Sequence, residues 1–209
     1  QADLNAGTGS QVTFSGSLQH VSGTSAITKT GAGTVILSGN NTHTGGTTVN
    51  EGTLRVQNNN ALGITGTVSV NATGTLVVDT GVTVANTGLT LNGGTLINHG
   101  VVNGLSMVSG TVGGRGLYNV AMGFDSAATD ILAPGASVGT TSFGVSQTWV
   151  GLNYQWEIQD FTDGAPAGTA FDNVAIAGAL DLSGNAYSLE VLPLDALGNT
   201  GAVPNYAAD

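Results

Sequence analysis

The sequence predicts an all-β protein, a right-handed parallel β-helix (β-solenoid) with rungs of about 20 residues and a more irregular β region at its C-terminal end. Three observations favour this fold. Short stretches that open with Gly-Thr and continue with alternating apolar residues recur along the first half of the chain. These stretches are rich in β-branched residues and lack helical periodicity. Glycine occupies 34 of 209 positions, which indicates turns at fixed places along the chain.

The recurring stretches define the size of the repeat. They are Gly33–Leu37, Gly52–Val56, Gly74–Val78, Gly94–Asn98 and, more loosely, Gly116–Val120. Their first residues are separated by 19, 22, 20 and 22 positions. One rung of this length cannot bury its own apolar face, so it must stack on its neighbours at about 4.8 Å per rung. The internal ladder that stacking predicts consists of Val35, Leu54, Leu76 and Leu96.

The turns between these strands are rich in glycine and asparagine. A glycine before each strand lets the backbone turn a corner. Asn40-Asn41 and Asn58-Asn59-Asn60 tolerate left-handed conformations, and stacked asparagines can form side-chain ladders. We therefore expect side-chain ladders of asparagine at these loops.

Three motifs follow one another in register between residues 27 and 63. They are the strand KTGAG, the turn SGNNTHTGGT and a Gly-Thr-Leu strand that ends in Ala-Leu-Gly. Together they resemble the autotransporter-associated β-strand repeat of bacterial passenger domains, except that His43 stands where this family usually has Tyr or Phe. The segment Ala133–Thr140 is similar to the corner that follows such repeats. The resemblance implies an extracellular or cell-surface location in a Gram-negative-type bacterium.

Composition changes near residue 120. We expect residues 1–120 to form the solenoid repeats, with an N-terminal strand segment, and residues 121–209 to form a C-terminal β continuation or cap. The second part contains both tryptophans, Trp149 and Trp156, and most of the acidic residues. We expect the tryptophans to pack where the regular ladder ends.

The charge of the chain limits its partners. Three cationic residues oppose thirteen acidic ones, giving a net charge of −10. Nucleic acid is disfavoured, because phosphate binding needs clustered Lys and Arg. No apolar run is long enough for a membrane-spanning helix, and the N-terminus lacks signal-peptide features, which indicates a mature chain or a fragment. Cysteine is absent, so disulfides and thiolate metal sites are excluded.

The densest group of carboxylates is the candidate site for chemistry or metal binding. It consists of Glu157, Asp160, Asp163 and Asp172. Two opposed carboxylates could serve a β-helix carbohydrate-active enzyme. Alternatively, Asp160, Asp163 and Asp172 could offer oxygen ligands to calcium. No His, Tyr or Arg accompanies the group, so we interpret it as a solvated acidic loop and expect no catalytic residues and no cofactor.

These observations favour a non-enzymatic extracellular β-solenoid, a surface spacer or fibre-forming subunit. We expect copies to associate head to tail, with the strand-like N-terminal segment engaging the next subunit. The first alternative is an adhesin that binds a glycan or a host surface through the Asn- and Thr-rich loops. The second is a β-helix carbohydrate-active enzyme.

Overall fold

The computed structural model describes residues 1–19, 25–85, 88–124, 130–135, 138–159, 166–183 and 186–194. These residues form eighteen β-strands, and no helix that could cross a membrane is found among them. In chain order the strands are β1 (Ala2–Asn5), β2 (Gln11–Phe14), β3 (Ile27–Thr30), β4 (Thr34–Leu37), β5 (Thr47–Val56), β6 (Val68–Val78), β7 (Thr83–Val84), β8 (Leu89–Asn98), β9 (Val101–Val102), β10 (Ser106–Gly114), β11 (Leu117–Tyr118), β12 (Ile131–Pro134), β13 (Thr140–Phe143), β14 (Gln147–Thr148), β15 (Gly151–Ile158), β16 (Asn173–Ile176), β17 (Leu180–Asp181) and β18 (Ala186–Pro193).

The strands stack in parallel, each on the strand one rung earlier. The main sheet has 11 strands and follows the order β1-β3-β5-β6-β8-β10-β12-β15-β18, with β2 and β4 joined to it beside β5. A second sheet has five strands in the order β16-β13-β11-β9-β7, and β14 pairs with β17. Because successive rungs pair in parallel through long crossovers, the all-β parallel solenoid predicted from the repeats is confirmed.

The main sheet bends around a corner in the middle of its long strands. β3 pairs with the first half of β5, and β4 pairs with the second half. Gly52 lies at this bend with a φ of 65°. A β-carbon at Gly52 would lie only 2.4 Å from the carbonyl oxygen of Gly31, so the close approach of two rungs requires glycine here.

The predicted internal ladder is present in register. Val35 pairs with Leu54, Leu54 with Leu76, and Leu76 with Leu96. All four side chains are fully buried. Their burial supplies much of the stabilisation, because each rung covers the apolar face of the one before it.

The fifth copy of the repeat was assigned wrongly. Leu117 and Tyr118, in the expected stretch Gly116–Val120, belong to the second sheet, where they pair with β9 and β13. The ladder continues instead through Val112, which pairs with Leu96. The rung between them has only 16 residues, and the Gly-Thr-Val order of residues 110–112 was the signal that marked it.

Aromatic side chains fill the interior of the later rungs. Tyr118 stacks on Phe143 with ring centroids 5.6 Å apart, and Trp149 meets Phe143 edge-on at 5.8 Å. The main sheet runs on without interruption from β10 through β12 and β15. The division of the chain into two parts at residue 120 stays a prediction.

A lysine lies inside the solenoid. Lys29 is completely buried, and its Nζ donates hydrogen bonds to the carbonyl oxygens of Thr30, Gly31 and Glu51 at 2.9, 2.6 and 2.9 Å. Burial lowers the pKa of Lys29, while the charges of Glu51 and Asp3 act in the opposite direction. The ammonium thus satisfies three backbone acceptors at the corner between β3 and β5.

Candidate functional site

The acidic residue Asp172 is built into the wall of the solenoid. It is 2% exposed and precedes β16. Its Oδ1 accepts a hydrogen bond from the Gly139 amide at 2.8 Å, and its Oδ2 accepts one from the Glu157 amide at 2.9 Å. The expectation of a solvated acidic loop is therefore wrong for Asp172, whose carboxylate joins two neighbouring rungs.

Burial dominates the electrostatics around Asp172. It raises the pKa of Asp172 to about 7, against the lowering effect of the two amide hydrogen bonds. The charge of Glu157 raises the pKa of Asp172 further, and the charge of Arg115 lowers it. Burial also raises the pKa of Glu157, whose Oε2 is buried without a hydrogen-bond partner in the described part of the chain.

The raised pKa of Asp172 predicts a pH-dependent stability. Between its ordinary value near 3.8 and about 7, the folded chain binds more protons at this group than the unfolded chain, so the free energy of unfolding falls as the pH rises through 7. We expect Asp172→Asn to flatten this part of the profile. Denaturant titrations at pH 4.5 and 7.5 measure the effect, and parallel profiles for both proteins would contradict it.

The calcium hypothesis stays a prediction. Asp160 and Asp163 lie outside the described residues. Both oxygens of Asp172 accept backbone hydrogen bonds within the protein. The described ranges bring no group of three or more His, Cys, Asp or Glu together as potential metal ligands.

A polar groove lies instead at the Asn-rich loop between β5 and β6. It consists of two adjoining recesses of about 460 and 360 Å³ that share Asn59 and Asn60. The first recess extends to the turn at Thr80 and Gly81, and the second extends past Ile64. Both volumes are within the range of small-ligand pockets.

The fold explains why a groove forms here. β7 is the terminal strand of the second sheet, and the rung before it has a loop in place of a strand. The side chain of Asn59 reaches this open edge, where its Oδ1 accepts a hydrogen bond from the Thr83 amide at 2.8 Å. The loop itself is anchored by Ala61 and Leu62, which are buried in the core.

Further hydrogen bonds fix the loop from the adjacent rung. Asn60 Nδ2 donates to Asn40 Oδ1 at 2.9 Å, so the expected asparagine ladder is present at this corner. Asn58 Oδ1 accepts a hydrogen bond from the backbone N–H of Asn60 at 2.9 Å. His43 lies beneath the loop, 2% exposed, with its Nε2 3.2 Å from Thr47 Oγ1.

An ion pair lies next to the lining residues Gln57 and Thr80. Arg55 Nε lies 2.7 Å from Asp79 Oδ1, and Gln57 Nε2 donates to Asp79 Oδ2 at 2.8 Å. The groove therefore presents amides, hydroxyls and small apolar groups.

The sequence pointed to the Asn-rich loop but did not identify Thr80 and Ile64, because a recess depends on the difference in length between consecutive turns.

Comparison with known proteins finds a family match for the part of the chain that includes the bend of the main sheet at Gly52. Residues 27–56 match the passenger-associated-transport-repeat. This passenger repeat comprises β3, β4 and β5, and it confirms the resemblance inferred from the sequence. No solved structure matches the chain at a significant level.

A curated relative is similar to the chain over a larger region. The chain is 39% identical over 103 residues to the adhesin BmaC autotransporter of Brucella suis. The alignment covers 46% of this chain and 3% of the adhesin, so the chain spans a small part of that protein. Both comparisons support the expected location, at the cell surface or outside a Gram-negative bacterium.

Proposed function

We propose that this chain is a structural segment of an extracellular passenger, a non-enzymatic β-solenoid spacer. The observation that carries the proposal is the continuous parallel main sheet with its buried ladder. Each rung is held by its neighbours along the whole described solenoid, which makes a stiff rod. The non-enzymatic character is supported by Asp172, whose carboxylate is committed to two backbone amides.

The spacer associates head to tail through its terminal rungs. Within the described residues, the ladder runs from Val12, which is 36% exposed, to Leu189, which is 58% exposed. β1 and β2 pair with β3 and β4 of the same chain, so the N-terminal segment offers only its outer edge to a neighbour. An edge of unpaired backbone beside exposed apolar side chains favours pairing with another strand.

Sedimentation velocity tests this association. We expect the average mass to increase with protein concentration, and Leu189→Glu to keep the protein monomeric, because a carboxylate would be buried at the contact. Val108→Glu is the matched control, since Val108 is 59% exposed but lies on β10 away from both ends. A single monomeric species at high concentration contradicts head-to-tail association.

A second candidate function is adhesion. It is supported by the groove at the Asn-rich loop and by the similarity to a protein that is named an adhesin. A rigid solenoid that presents loops from its side would combine the spacer and the adhesive roles. Attachment of purified, surface-immobilised protein to host-cell monolayers tests this second function.

A further inference from the structure

The groove beside Asn59 and Asn60 has polar groups whose orientation is set before any ligand arrives. One half of each amide is held by the protein: the Oδ1 of Asn58 and of Asn59 and the Nδ2 of Asn60 are all hydrogen-bonded. The other halves, the Nδ2 of Asn58 and of Asn59 and the Oδ1 of Asn60, have no hydrogen bond within the described residues. Fixing the orientation of binding groups in advance lowers the entropy cost of binding.

These unused halves offer donors and an acceptor side by side. A sugar hydroxyl both donates and accepts hydrogen bonds, so it fits a surface on which amide N–H and C=O groups alternate. Thr80 adds a hydroxyl on one side, and Ile64 adds an apolar surface that is 54% exposed on the other. An apolar side chain next to fixed polar groups matches the mixed surface of a sugar ring, which has C–H groups as well as hydroxyls.

The charges near the groove and the net charge of the chain restrict which class of ligand can bind there. Among the described residues, no charged side chain lines either recess, and the nearby Arg55 and Asp79 neutralise each other. The whole chain has a net charge of −10. This charge repels sulfated and uronic-acid glycans and acidic peptides, and the lining offers them no cation.

We propose that the groove between the Asn58–Asn60 turn and the Thr80–Gly81 turn binds a neutral oligosaccharide. The proposal rests on the adhesive function proposed above and gives it a site and a ligand class. The sugar hydroxyls accept from the Nδ2 groups of Asn58 and Asn59 and donate to the Oδ1 of Asn60. The ring lies across the two recesses with its apolar face towards Ile64.

An array of neutral and anionic glycans, followed by titration calorimetry, tests the proposal. The calorimetry uses the neutral glycans that the array retains, with maltotriose, cellotriose and triacetylchitotriose always included, and a heparin tetrasaccharide as the anionic probe. We expect a neutral glycan to bind and the heparin probe not to bind. Asn60→Ala should weaken binding about tenfold, because it removes the Oδ1 acceptor for the sugar and also the hydrogen bond that holds the Asn40 side chain in place. Thr80→Trp should abolish binding by filling the recess while every asparagine remains.

Asn71→Ala is the matched control. Asn71 belongs to a second asparagine ladder, where its Nδ2 donates to Asn50 Oδ1 at 2.7 Å, at a corner outside the groove. We expect this variant to bind within about twofold of the wild type. Thr80→Trp decides the question if Asn60→Ala does not fold, since Thr80 is exposed and its substitution removes no core contact.

Three results would overturn the proposal. They are the absence of binding to every neutral glycan, binding to the heparin probe alone, and equal affinity of the wild type and Thr80→Trp. Attachment to host cells that persists without neutral-glycan binding would remove the groove proposal and leave the adhesive function in place. Loss of attachment as well would remove both, while sedimentation tests the spacer function independently.

Discussion

Replacing Leu76 with aspartate strongly destabilises the solenoid. Leu76 is fully buried between Leu54 and Leu96 in the internal ladder. A carboxylate there would have no partner, and we expect a loss of about 4 kcal/mol or more, a large part of the stability of a typical domain. Circular dichroism during heating and urea titration measures the loss.

Val77→Asp is the control for this prediction. Val77 is the next residue on β6, faces outward and pairs with Arg55 on the adjacent rung. A carboxylate here stays in water beside a cation, so we expect a change within about 1 kcal/mol. Similar melting temperatures for the two variants would show that Leu76 does not point into the core.

Lys29→Met destabilises the corner between β3 and β5. Methionine has a side chain of similar length, but it leaves the carbonyl oxygens of Thr30, Gly31 and Glu51 without the Nζ donor. Leaving buried acceptors unsatisfied costs more than the net value of the hydrogen bonds, and we expect a loss of about 3 kcal/mol. Urea titration of the wild type and the variant measures it.

Arg55→Met makes the same chemical change on the surface. Arg55 is exposed, with 46% of its side chain accessible, and its partner Asp79 remains close to solvent. Exposed ion pairs contribute little, so we expect a loss below about 1 kcal/mol. Equal losses in the two variants would mean that Lys29 contributes no more than a surface charge.

The regular part of the fold was predictable from the sequence because the repeat carries its own register. Glycine, threonine and an apolar residue recur in fixed order, so an alignment of the copies correctly places Leu54, Leu76 and Leu96 in one ladder. The prediction was wrong where a rung shortens to 16 residues, between Leu96 and Val112. An alignment that assumes a constant repeat length cannot detect a change in the length of a turn.

Features that depend on contacts between rungs were harder to predict. Nothing in the sequence marks Lys29 for burial, and Asp172 was expected in a solvated acidic loop, yet both are buried against backbone groups of another rung. The Asn-rich loop was recognised from composition as a binding candidate. Its recess was not, because the recess exists only where that loop meets the edge of β7.

The stacking of parallel strands also determines how the rod responds to mechanical load. The backbone hydrogen bonds between β5, β6 and β8 run along the solenoid axis, the direction in which neighbouring strands are spaced. A force that pulls the two ends apart loads these bonds one row at a time, as in opening a zipper. Each rung that peels away releases about 20 residues, or roughly 70 Å of extended chain. Tension would therefore lengthen the rod in steps while the remaining rungs stay folded.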